Sequence, residues 1–265
     1  MVYDANVEQV DQVARADRLR VYHFGKAPLV LPNAWDVASA RAVVDEGFKA
    51  VATTSAGVAE ALGWADEEKT PYEEMLKVVA RIAQNVEVPV SADIESGYGL
   101  SPGELAEHLI ATGAAGCNLE DTDHTQGSQL TAAGTQAKRL AAFKDAVRSL
   151  GVDIVLNARI DVFLRQVGDP QQRVDFALER AHLYAKAGAD CVYPIGATEE
   201  ELARFVSGFS GPVNGLARPS QPRLSKLLEL RLARISFGPA LERLGIADLR
   251  HRLAAIATSD DRWGG

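Results

Sequence analysis

Short apolar runs alternate with longer stretches of helical periodicity along most of the chain. The runs read "PLVLPN" (28–33), "FKAVATTS" (48–55), "VPVSAD" (88–93), "AAGCNLED" (114–121), "DIVLNARID" (153–161), "ADCVYPIG" (189–196), "GPVNGLA" (211–217) and "LARISFG" (232–238). Between them lie segments such as "YEEMLKVVARIAQNV" and "VDFALERAHLYAKAGA", whose apolar residues recur every three or four positions. In "SPGELAEHLIATG", Ser101 is placed to cap a helix, Pro102 fits its first turn, and Gly113 follows its end. Runs that are apolar throughout predict parallel strands covered by helices, and about eight strand–helix units predict an α/β fold of the (β/α)8 (TIM) barrel type. A doubly wound open sheet would show the same alternation, but no GxGxxG follows the first run. A helix over about residues 4–24 precedes the first strand, and the absence of any linker or repeat beyond the strand–helix unit predicts one domain over 1–265.

Composition narrows the choice of partner. The 265 residues are 47% hydrophobic and 24% charged, with a net charge of −8 and scattered basic residues, so a polyanion finds no footprint. Nucleic acid and membrane are excluded as partners on this reading; no run approaches the roughly 18 apolar residues of a membrane helix, and no signal-like segment opens the chain. Cys117 and Cys191 sit in strand-like runs and read as buried small hydrophobes, which fits a reducing, cytoplasmic setting.

In a barrel the chemistry gathers where strands end. The run ends here carry Asn33, Asp36, Thr53 to Ser55, Asp93, Glu95, Glu120, Asp121, Arg159, Asp161, Asn214 and Ser236. Asp93, Glu95 and Glu120 come from adjacent strands, and packed carboxylates need a cation or protons to compensate them. An all-oxygen set suits Mg²⁺ (or Mn²⁺) rather than Zn²⁺, although any one of these residues could instead bond a strand end or cap a helix. Asp121 best fits such a cap. Arg159 requires an anionic partner, either the acidic cluster or a substrate carboxylate or phosphonate. Thr54, Ser55 and the amides after them could form an anion nest or a plain turn. The segment Asp123 to Thr135, rich in small polar residues, predicts a mobile lid, with His124 as candidate proton donor or as a solvated surface histidine.

At these residues the chain resembles the isocitrate lyase/phosphoenolpyruvate mutase superfamily, from about "LPNAWDVASARAV" through "GPVNGLARP". The resemblance rests on "DIESGYG", "LED", "ARID" and "TTSAGVAEALGWAD" in that family's motif positions. It implies Mg²⁺ held by Asp93, Glu95 and Glu120, directly or through water, with Asp66 nearby. It further implies a 2-oxo acid carboxylate bound by Thr54, Ser55, Ala56 and Gly57, with Arg159 engaging substrate or developing anion and Asn214 as a further carboxylate ligand. Assembly into a homodimer or homotetramer by exchange of the last helix, "GPALERLGIADLRHRLAAIAT", is implied as well.

The segment "EDTDHTQGSQLTAAGTQAKRL" departs from the family pattern. It lacks the catalytic cysteine loop of isocitrate and methylisocitrate lyases and has "QGS" (126–128) where phosphonopyruvate enzymes carry Lys-Thr-Asn, while Ile195 stands where lyases place a glutamate. The expectation is a Mg²⁺-dependent lyase that cleaves a C–C bond in, or decarboxylates, a small 2-oxo or 2-hydroxy dicarboxylic acid through an enolate. P–C bond chemistry on phosphonopyruvate is the alternative within the family, and a non-catalytic oxo-acid-binding protein is the alternative outside it.

Overall fold

The apolar runs become strands that close on themselves. The structure, a computed structural model, describes residues 5–258. Its barrel strands are β1 (Leu29–Leu31, continued past Pro32 by Asn33–Ala34), β2 (Val51–Thr53), β3 (Val90–Asp93), β4 (Gly116–Glu120), β5 (Val155–Ile160), β6 (Cys191–Pro194), β7 (Asn214–Leu216) and β8 (Arg234–Ser236). Neighbours pair in parallel in chain order from Asn33–Ala34 to β6, β7 pairs β8, and β8 pairs Leu29–Leu31. A parallel bridge between Val192 and Val213 joins the two sheets and closes the ring.

The helices are α1 (Ala5–Tyr22), α2 (Val37–Asp45), α3 (Ser55–Leu62), α4 (Tyr72–Asn85), α5 (Pro102–Ala111), α6 (Ala133–Ser149), α7 (Arg173–Lys186), α8 (Glu199–Gly208), the short α9 (Leu224–Leu227) and α10 (Ala240–Ala257). The expected N-terminal helix is α1; its expected first residue, Asp4, lies outside the described residues. Periodicity and capping explain the helices: α4 buries Met75, Leu76, Val79, Ile82 and Ala83 on one stripe. At α5, Ser101 and Glu104 form a reciprocal capping box, with Pro102 in the first turn.

One expectation needs correction. The strands are not apolar on both faces. Ala92, Cys117, Leu119, Leu156, Ala158 and Val192 join the core between sheet and helices. On the other face, Asn157 donates to Asn118 (2.8 Å), and Arg234 donates to Asn118 (3.2 Å) and to Ser91 (3.1 Å). The barrel interior is therefore a hydrogen-bonded polar layer, and the alternation of "CNLE" and "LNAR" with period two carries that signal.

Helix α1 lies across the N-terminal ends of the strands. Leu19 packs so closely on Gly116 that a Cβ there would stand 2.9 Å from Leu19 Cδ2 and 2.8 Å from the Val155 carbonyl. Arg20 donates to Asp190 (2.9 Å), and buried Lys144 of α6 donates to Asp190 (2.9 Å) and to the Ile154 carbonyl (2.8 Å). With one end sealed, the other is left for the site.

Candidate active site

A cavity of about 470 Å³ opens at the C-terminal ends of the strands. Its floor is set by strand residues: Asn33, Asp93, Asn118, Arg159, Tyr193 and Ser236. The turn Thr54–Ala56 at the start of α3 and Asp66 line it as well, and Leu164, Ile195, Leu216, Arg218, Phe237, Arg243 and Leu244 complete the lining.

Asp93 is buried and held on both oxygens. The Ser55 amide (3.0 Å) and hydroxyl (2.9 Å) donate to Oδ2, and Asn118 Nδ2 donates to Oδ1 (3.3 Å). Thr54 caps α3, accepting from the Gly57 amide, so the turn places the positive end of the helix toward the cavity.

Glu95 follows β3 in a left-handed backbone conformation (φ 48°) that a non-glycine residue rarely adopts, within a turn that also takes positive φ at Gly97, Tyr98 and Gly99. Its carboxylate accepts from the Glu68 amide (2.6 Å) and the Tyr98 hydroxyl (3.2 Å). Burial, with Asp66 and Glu120 nearby, pushes its carboxyl up to about 8. Glu120 is buried between His124 Nε2 (2.6 Å) and the Arg159 guanidinium. Burial raises its carboxyl above the ordinary range, although Arg159 opposes the shift.

Arg159 projects its forked donors onto Asp161 through Nε (2.7 Å) and Nη2 (2.9 Å) while reaching Glu120 through Nη1. Its anionic partner is thus the acidic group, and the guanidinium still lines the cavity. Asp161 also accepts from Thr122 (2.6 Å). Asp121 lies behind it, receiving the Asp161 amide at the end of β5 (2.9 Å) and the α7 side chains Arg180 (2.8 Å) and Tyr184 (2.7 Å), so it bonds a strand end and caps no helix.

Several expected site residues stand elsewhere. Among the described residues no three His, Cys, Asp or Glu side chains form a metal-binding set; Glu95 bonds the Glu68 amide and Tyr98, Glu120 bonds His124 and Arg159, and the charges of both carboxylates still act on each other and on Asp93. Asn214 does not line the cavity: it is fully buried, paired with Ser236 at 3.2 Å. Gly57 is a packing position, where a Cβ would stand 2.8 Å from Thr54 Cγ2 and 3.4 Å from Glu242 Cγ. His124 does not line the cavity either; its side chain is buried behind Glu120. Burial is the largest influence and disfavours its protonation, but the bond to Glu120 together with the charges of Glu120, Glu68 and Glu95 outweighs it and raises its pKa.

The expected lid is a short hairpin. Thr122–Asp123 pairs with Gln129–Leu130 around a 3₁₀ turn at His124–Gln126. The Thr131 amide donates to Asp121 O (2.8 Å), and Leu130 packs on the core.

The sequence reading passed over four residues. Asn118 and Tyr193 occupy inward positions of otherwise apolar strands, two residues from a polar or strand-end position, and the period of two was the available signal. Glu68, two residues beyond Asp66, accepts from Ser96 (2.6 Å) and the Tyr98 amide (2.7 Å) and so ties its loop to the acidic turn. Arg218 sits on a loop and gave no periodic signal.

The chain belongs to the phosphoenolpyruvate phosphomutase family, whose profile matches residues 19–257. That places it within the isocitrate lyase/phosphoenolpyruvate mutase superfamily of lyases and mutases. It is 35% identical over 240 residues to an uncharacterized protein of Mycobacterium tuberculosis (strain ATCC 25618 / H37Rv), covering 90% of this chain and 87% of the relative. Its fold is similar to the crystal structure of 2,3-dimethylmalate lyase, with a TM-score of 0.82, 25% identity and coverage of 92% and 88%. It is likewise similar to oxaloacetate acetylhydrolase in complex with the product oxalate, with a TM-score of 0.81, 25% identity and coverage of 92% and 87%.

Proposed function

We propose that the chain is a Mg²⁺-dependent lyase that cleaves a C–C bond in, or decarboxylates, a small 2-oxo or 2-hydroxy dicarboxylic acid through an enolate. The observation that carries this reading is Asp93, fixed on both oxygens by protein donors and facing the cavity beside Arg159. Mg²⁺ dehydrates reluctantly and is commonly held by one or two carboxylates with water and substrate completing its shell, so the sparse donor set fits it and does not fit Zn²⁺. Asp93 would be its direct ligand, with Glu95 and Glu120 acting through water. Bound there, Mg²⁺ would supply Lewis-acid stabilisation of negative charge next to the substrate carboxylate.

The remaining work falls to side chains. Arg159, fixed by Asp161 and Glu120, presents positive charge where the enolate develops. The α3 start, Thr54 to Ala56, directs its helix end toward the same carboxylate. Tyr193 lines the cavity with a hydroxyl that burial pushes up to about 12, so it keeps its proton at neutral pH and can donate it at Oη. Cys117 and Cys191 are buried, with burial pushing each thiol up to about 12, which removes a thiolate acid–base from the scheme.

The helix α10 buries only Glu242 and exposes Leu244, Leu249, Leu253 and Ile256. We therefore infer a homodimer or homotetramer joined through this helix, in a reducing cytoplasmic setting. Among the described residues no helix is long and apolar enough to cross a membrane.

A screen of 2-oxo and 2-hydroxy diacids and phosphonopyruvate, with Mg²⁺ or with a chelator, tests the reading by release of a 2-oxo acid. Chelator-sensitive release from a diacid is expected. Release from phosphonopyruvate alone would favour P–C chemistry, and Mg²⁺-dependent binding with no turnover of any compound would favour a binding protein.

A further inference from the structure

The barrel interior holds a positive charge with no carboxylate bonded to it. Arg234 of β8, two residues before the cavity-lining Ser236, is among the largest fully buried side chains. It reaches across the barrel to strands that β8 does not pair with: Nη1 donates to Ser91 Oγ on β3 (3.1 Å) and Nη2 to Asn118 Oδ1 on β4 (3.2 Å). Among the described residues it makes no ion pair, and its Nε has no acceptor. A buried guanidinium is costly without a counter-charge, so its placement calls for one. Burial is the largest influence on Arg234 and pushes its pKa down, opposed by Cys191, Tyr193, Asp93 and Cys117. Burial pushes both thiols and the Tyr193 hydroxyl up to about 12, so they are neutral near pH 7 and the Asp93 carboxylate is the negative charge among the four.

One amide joins Arg234 to Asp93. Asn118 stands opposite Asp93 in the register of β3 with β4, and opposite Asn157 in that of β4 with β5. Two donors, Arg234 Nη2 and Asn157 Nδ2 (2.8 Å), meet at Asn118 Oδ1, so the amide cannot turn over without setting its own NH2 against both. Its Nδ2 is thereby committed to Asp93 Oδ1 (3.3 Å), while the Ser55 amide and hydroxyl hold Oδ2. A cationic donor polarises the amide it bonds and strengthens the bond that amide makes in turn. We propose that Arg234 is a positioning residue for the metal site: from beneath the cavity it fixes and polarises the Asn118 amide, which holds Asp93 in the orientation that receives Mg²⁺. This rests on the Mg²⁺ reading above and names the group in the barrel interior that sets up the proposed ligand.

Calorimetric titration of the full chain with Mg²⁺ alone tests it, with urea denaturation of each variant alongside. Arg234→Met is expected to weaken Mg²⁺ binding by roughly 10- to 100-fold, and Asn118→Ala by a similar factor. The double variant should bind about as weakly as either single one, because both changes cut the same relay. Lys144→Met removes a buried cation at the closed end that bonds Asp190 and the Ile154 carbonyl instead, so it should lose stability yet bind Mg²⁺ as the parent does. Where Arg234→Met does not fold, Arg234→Gln, which is neutral and keeps an amide donor, is expected to weaken Mg²⁺ binding in its place. A folded Arg234 variant that binds Mg²⁺ as tightly as the parent, losses that multiply in the double variant, or an equal loss in Lys144→Met overturns this inference alone. A parent that binds no Mg²⁺ overturns it together with the functional reading.

Discussion

Asn118 shows how a residue in the barrel interior sets the site above it. Its Oδ1 accepts from Asn157 and Arg234, which leaves its Nδ2 to face Asp93. Replacing it with Asp removes that donor and sets a like charge beside the proposed metal ligand. The expected result for Asn118→Asp is a Mg²⁺ requirement raised by roughly 10- to 100-fold, read from the metal dependence of turnover. His23 makes a prediction of a different kind. It is buried, its Nδ1 contacts the Leu19 carbonyl (2.7 Å), and its Nε2 has no partner. Burial, with Arg234 adding to it, pushes its pKa down to about 4. The unfolded chain takes up this proton near pH 6.5 and the folded chain only near 4, so stability is full above 6.5 and falls as pH drops between the two. The contribution lost between pH 7 and pH 5 is about 2 kcal/mol, and His23→Gln should flatten that slope in urea denaturation. The sequence revealed Asp93, Glu95, Glu120 and Arg159 because they end strands, where a barrel exposes side chains. It did not reveal that Glu95 and Glu120 turn to protein partners, because rotamer and loop contacts, such as Glu68 on Glu95, leave no trace in spacing.

The elements on the closed end act as a clamp. Lys144 of α6 is buried, and its ammonium joins Asp190, the Ile154 carbonyl and Asp153 beneath β5 and β6. Removing it by Lys144→Met strands Asp190 with less compensation and should cost about 3–5 kcal/mol of unfolding free energy, measured by denaturant titration. At the open end, α3 meets α10 at Gly57. Gly57→Ala forces a methyl against Thr54 and Glu242, so a loss of about 1–3 kcal/mol is expected together with weaker oxalate binding, since the displaced turn is the one that holds Asp93. Helices and strands were legible because period and capping are local properties, as Ser101 and Glu104 show. The segment after β4 was not. Its small polar residues suggested a lid, and its hairpin pairing of Thr122 with Leu130 and the Arg180 side-chain bond to the Thr131 carbonyl (2.9 Å) are contacts that composition does not record.

For the whole molecule, one half of the barrel serves stability and the other serves chemistry, and the α10 surface links one copy to the next in the proposed assembly. Leu249 and Leu253 are each about half exposed, so Leu249→Glu with Leu253→Glu should shift a homo-oligomer toward monomer in light scattering, while a parent that is already monomeric would contradict that assembly. The closure of the barrel was legible from the count of runs, whereas the polar interior that supports Asp93 depended on long-range pairs such as Arg234 with Ser91, 143 residues apart. The central claim is that Asp93 holds a Mg²⁺ ion against a diacid undergoing bond cleavage. Its most direct test is the rate of 2-oxo acid release across a Mg²⁺ titration for the parent and for Asp93→Asn. The account predicts a parent rate that saturates with Mg²⁺ and vanishes with chelator, and a loss of about 10²- to 10³-fold in the variant at saturating substrate. A variant that matches the parent, or a parent rate indifferent to Mg²⁺, would contradict it.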